Sequence, residues 1–135
     1  MSKMNPVVHF ELPAKDKKRM KDFYTSVFGW QAHELGEDMG GYITVATTET
    51  DEKTGRPNSP GAINGGLYQP DPTKGAMYPS IVIAVDDVNE HIKKITGAGG
   101  KLLDGPYEIP GVGMYAGIED TEGNKISILK PSGQM

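Results

Sequence analysis

The chain has 135 residues, 36% hydrophobic and 24% charged, with a formal net charge of −4 spread along its length and no basic stripe. That size supports one domain whose core needs no disulfide or structural metal, and the balance argues against a disordered chain, a membrane protein and a nucleic-acid binder. Cysteine is absent, which removes thiolate chemistry and cysteine-ligated zinc, while 18 glycines and 10 prolines predict short elements joined by tight turns, mostly strands.

The opening Met-Ser-Lys-Met-Asn-Pro has no apolar signal core and no stretch is long enough to span a bilayer, so a cytoplasmic location is expected. Val7 to Leu12 then reads as a strand stopped by Pro13, and Asp16 is placed to cap a helix. Met20, Phe23, Tyr24, Val27 and Phe28 recur at helical spacing as one inward stripe, with Gly29 ending the helix. Three strand-like runs follow, around Trp30 to Leu35, Tyr42 to Thr47 and Ala62 to Gln69. Thr48 to Pro60, polar and rich in Thr and charge, is expected to be a surface loop, and the sequence leaves open whether it covers a cleft.

The plan then repeats. Ile81 to Val85 is a β-branched strand, Asp86 a candidate cap, and Val88, Ile92 and Ile95 a second helical stripe before Gly97. Lys101 to Ile109, Met114 to Glu119 and Lys125 to Leu129 complete the second set of strands, with Asp120-Thr121-Glu122-Gly123-Asn124 as a hairpin turn rather than a calcium loop. The expected class is therefore α+β: two βαβββ modules in tandem, about 5–70 and 76–131, within a single domain of residues 1–135.

Four stretches carry a resemblance to a known family. They are Val7-Val8-His9-Phe10-Glu11-Leu12-Pro13; Asp22-Phe23-Tyr24 running into Val27-Phe28-Gly29-Trp30; Gly61-Ala62-Ile63-Asn64-Gly65-Gly66-Leu67; and Ile109-Pro110-Gly111-Val112-Gly113 leading to Glu119 through Lys125. In order and spacing the chain resembles the vicinal-oxygen-chelate superfamily of glyoxalases, bleomycin-resistance proteins and dioxygenases, and within it the lactoylglutathione-lyase-related proteins. The resemblance implies modules curled into a U-shaped cleft, usually in a homodimer, where a small molecule binds and a divalent metal is held by His on the first strands and Glu on the last strands of both modules.

His9 matches the first ligand position. Counting along the motifs puts Ser80 where the second histidine belongs and Ser127 where the last glutamate belongs, and Asn64 to Tyr68 contains no carboxylate. One histidine with two hydroxyls is a poor set for zinc, magnesium or calcium, so neither a tightly bound metal nor another cofactor is expected. Glu11 falls on the same strand face as His9, which makes the pair a candidate general base and its orienting carboxylate. Ser80, Ser127, Asn64 and Tyr68 are the candidate ligand-binding residues.

His33 and His91 read as surface positions, and Gly61 through Gly66 as a kinked strand rather than a phosphate cradle. Of Trp30 and the tyrosines at 42, 68, 78, 107 and 115, about two are expected to line the cleft. Three functions remain open: a binding protein with a metal-free cleft, a metal-independent lyase or isomerase using His9, and a metal-dependent lactoylglutathione lyase. The expected partners are a small-molecule ligand and a second copy of the chain.

Overall fold

The alternation of apolar and polar residues from Val7 onward produces β1 (Val7–Pro13), which lies at the middle of an eight-stranded sheet in a computed structural model describing residues 4–36, 41–74 and 76–132. Helix α1 (Lys17–Phe28) begins where the Asp16 side chain accepts a hydrogen bond from the Arg19 amide, and ends at Gly29, left-handed at φ 73°. Three strands follow: β2 (Gln31–Glu34), β3 (Ile43–Ala46) and β4 (Asn64–Tyr68). After a short 3-10 turn at Pro72–Lys74 come β5 (Ser80–Ala84), α2 (Val88–Gly97), β6 (Lys101–Ile109), β7 (Gly113–Glu119) and β8 (Lys125–Pro131).

The strand order is β2-β3-β4-β1-β5-β8-β7-β6. Each half runs βαβββ and pairs its first strand in parallel with its last, β1 with β4 and β5 with β8. The two halves join through the antiparallel pair β1 and β5, so one sheet runs through both and curls without closing. This is the α+β arrangement expected from the sequence.

Alternation along β1 divides the sheet into two faces. Phe10 and Leu12 join the core around Ala14, Ile43, Val45 and Leu67 beneath α1, whereas His9 and Glu11 turn to the other, concave face. Beneath α2 a second core gathers Val85, Val88, Ala116 and Ile128, with Ile92 and Ile95 packed on it. Burying a side chain such as Val88 contributes about 1.5–3 kcal/mol. The turn from Asp120 to Asn124 joins β7 and β8 as a hairpin, with the Asp120 carboxylate accepting from the Glu122 and Asn124 amides.

Three details differ from the sequence reading. Asp87, not Asp86, caps α2, accepting from the Glu90 amide; Gly97 is the helix's last residue and Ala98 its C-cap. The stripe on α1 is only partly covered: Met20 and Tyr24 face inward, whereas Phe23, Val27 and Phe28 stay 52%, 57% and 59% exposed. Tyr24 stacks on Trp30 at 4.7 Å, on the covered side of the helix.

Candidate functional site

The concave face holds a cavity of about 400 Å³ to which β1 and every strand from β3 to β8 contribute. His9 and Glu11 rise into it from β1, Tyr68 from β4, Tyr107 from β6, Tyr115 from β7 and Lys125 from β8, with Val82, Ile109 and Leu129 supplying apolar wall. Tyr42, just before β3, lies across β4 because Gly66 has no side chain there: a Cβ at Gly66 would meet the Tyr42 ring and hydroxyl. Gly65 does the same for Phe10 on the opposite face, so the two glycines thin β4 on both sides.

His9 shares a hydrogen bond of 3.1 Å between its Nε2 and the Tyr42 hydroxyl. Burial lowers its pKa to about 4, so the imidazole is neutral at physiological pH. It is available throughout that range as a hydrogen-bonding partner, and is weakened as a base.

Glu11 engages a network of its own. Its Oε1 accepts from the Tyr115 hydroxyl at 3.4 Å and from Ser127 Oγ at 3.3 Å, and lies 3.9 Å from Lys125 Nζ. Lys125 Nζ in turn donates to Ser127 Oγ at 2.9 Å and to the Tyr115 hydroxyl at 3.2 Å, while Ser127 and Tyr115 share a bond of 2.6 Å. Burial pushes the lysine pKa down, opposed by the negative charges of Glu11 and Asp104. All four tyrosines are raised, Tyr68 to about 12, with burial first and, except at Tyr107, the Glu11 charge next; at Tyr107 a hydrogen bond to Asp104 comes second. Their hydroxyls are protonated donors at neutral pH.

The residues singled out from the sequence occupy different places. His9, Glu11 and Tyr68 line the cavity together, and Tyr68 donates to the Tyr78 carbonyl at 3.1 Å. Ser127 is fully buried behind the wall, in the Glu11 and Lys125 network. Ser80 is buried too and donates to the Lys125 carbonyl at 2.9 Å; it pairs with Glu11, whereas the residue beside His9 on β5 is Val82, followed on β8 by Ser127. Asn64 pairs with His9 from β4, and its amide holds the 48–60 segment. Sequence reasoning passed over Lys125, although Lys125, Ser127 and Leu129 alternate onto one face, and it underestimated the tyrosines: four line the cavity, while Tyr78 is 78% exposed.

A metal of the kind held by chelating relatives does not fit these donors. His9 is flanked by Asn64 on β4 and Val82 on β5, with Ser127 beyond Val82 on β8, and the nearby carboxylate of Glu11 is engaged by a lysine. Among the described residues, no group of three or more His, Asp or Glu side chains gathers to hold an ion.

The family model for the Glyoxalase/Bleomycin resistance protein/Dioxygenase superfamily matches residues 7–128. The chain belongs to this superfamily. The anthracycline biosynthesis protein DnrV of Streptomyces peucetius is 29% identical over 132 residues, covering 90% of this chain and 45% of that protein. The chain thus spans less than half the length of that relative. A glyoxylase-like domain-containing protein of Didymella fabae is 30% identical over 130 residues, 92% of each chain. Methylmalonyl-CoA epimerase from Mycobacterium tuberculosis shares the fold, with a TM-score of 0.67 at 17% identity over 98% of this chain and 93% of that one. No described helix of this superfamily member is long and apolar enough to cross a membrane.

Proposed function

We propose that this chain binds a small, ring-containing organic molecule in the tyrosine-lined cleft and does so without a metal. The supporting observation is the cavity itself, ring-sized at about 400 Å³ and lined by four tyrosines together with apolar side chains such as Val82, Ile109 and Leu129. A relative named for anthracycline biosynthesis favours an organic ligand. In this reading Tyr68 contacts the ligand, Ser80 and Ser127 hold the wall, and Asn64 secures the loop. Thermal-shift titration with a panel of phenolic and quinonoid compounds tests it, because a ligand of the native state raises the melting temperature with its excess over Kd. A rise is expected for planar compounds, and a panel without any shift overturns the reading. Stoichiometric metal retained after dialysis overturns the metal-free part.

The 3.1 Å bond between His9 and Tyr42 favours a second reading, a metal-independent lyase or isomerase in which this pair exchanges a proton with a bound carbonyl or hydroxy compound. There His9 is the base and Glu11 sets the field of the site rather than the orientation of the ring. Metal-dependent lactoylglutathione lyase chemistry is disfavoured by the donor set around His9.

The chain is further proposed to be a single-domain cytoplasmic protein, without nucleic-acid or membrane partners, that pairs with a second copy. Phe23, Val27 and Phe28 leave an exposed apolar edge on α1, and the longer relatives have room for a second such unit.

A further inference from the structure

Beside the tyrosine cavity lies a second compartment of about 640 Å³, lined by the 48–60 segment and by residues of β1, β2, β3 and β4. The two compartments meet at His9 and Thr44, which line both.

The segment is a built hairpin. Thr50 and Pro57 form a β-bridge, the Asp51 amide donates to the Arg56 carbonyl at 2.9 Å, and the Asn58 amide to the Glu49 carbonyl at 2.8 Å. Asn64 ties it down from β4: its Oδ1 accepts from the Thr47 amide at 3.0 Å and its Nδ2 donates to Thr50 Oγ1 at 3.0 Å. This geometry sets Arg56 at the rim of the compartment, whose other walls are mainly aliphatic and backbone.

Among the described residues lining this compartment there is no carboxylate, and Arg56 is their single permanently charged side chain. Its guanidinium is exposed and pairs with no described residue. A planar fork of donors beside an apolar recess suits an oxyanion such as carboxylate, sulfonate or phosphate.

We propose that the hairpin compartment is a second subsite, in which Arg56 takes an oxyanion attached to the ring held in the tyrosine cavity. The inference rests on the ring-binding reading above and narrows its ligand to a bipartite aromatic acid, with His9 at the junction.

Two dyes with one ring system separate the two claims: 8-anilinonaphthalene-1-sulfonate, and N-phenyl-1-naphthylamine, which lacks the sulfonate. Fluorescence titration of the full chain is expected to show both binding. Arg56→Ala is expected to weaken the sulfonate dye about five- to tenfold, the upper range of an ordinary solvent-exposed hydrogen bond, and to leave the neutral dye unchanged. Arg56→Lys should recover part of the loss, and added salt should weaken the sulfonate dye in the parent but not in Arg56→Ala. Equal responses of the two dyes to Arg56→Ala overturn the subsite alone. Failure of both dyes to bind the parent overturns the ring cavity and the subsite with it.

Discussion

The Tyr42 side chain occupies the space that any residue but glycine would fill at Gly66. This contact brings the phenol within 3.1 Å of His9 and closes the cavity on the β3 side. Gly66→Ala is therefore expected to destabilise the fold by about 1–3 kcal/mol, the usual cost of an overpacked methyl. Combining it with Tyr42→Ala should cost less than the two separate losses added together, because the clash then has no second partner. Urea unfolding of the three variants measures this, and additive losses would contradict the contact.

The depressed pKa of His9 makes stability depend on pH in a defined window. The unfolded chain binds the proton near pH 6.5 and the folded chain only near pH 4, so the contribution is complete above about 6.5 and falls away as pH drops toward 4. The full effect is at most about 3 kcal/mol. His9→Gln should show a shallower loss between pH 6.5 and 4.5 than the parent in urea midpoints taken across that range. Parallel curves would mean that His9 is not held neutral.

Glu11 and Lys125 are each little exposed, at 11% and 14% of the side chain, and depend on one another. Lys125→Met leaves the carboxylate buried with only hydroxyl donors and should cost about 3 kcal/mol. Adding Glu11→Gln should restore a good part of it. Chemical denaturation of the single and double variants gives the coupling, and a coupling near zero would show the pair to be incidental.

Asn64 holds the 48–60 hairpin by its side-chain amide, with Lys53 and Arg56 exposed on that hairpin. Asn64→Ala is expected to leave the melting temperature within a few degrees, and to speed tryptic cleavage after Lys53 severalfold, since local opening limits proteolysis. An unchanged digestion rate would mean that the backbone bonds alone fix the hairpin.

The uncovered edge of α1 predicts association. Analytical ultracentrifugation of the parent should show a dimer, and Phe23→Ser with Phe28→Ser should shift it toward monomer without loss of helix signal. A parent that sediments as a monomer at all concentrations would assign those side chains another role.

Short-range patterns in the sequence determined the elements. Period-two alternation in β1 placed His9 and Glu11 on one face, Asp16 and Gly29 marked the ends of α1, and the repeated strand-helix plan announced two matching halves. These signals act within a few residues, where backbone sterics and capping bonds decide the outcome. Tertiary structure decided which side chains become neighbours. The register between β1 and β5 shifts at an irregularity between Val7 and His9, and Val82 rather than Ser80 stands beside the imidazole. Glu11 found its cation in Lys125, from the far end of the chain, rather than in His9. Four tyrosines from different parts of the chain came to one cavity, and three of the five residues of the α1 stripe were left outside the core. Cross-strand alignment and sheet curl set these contacts, and both arise from the sum of many remote pairings that no local window of sequence contains.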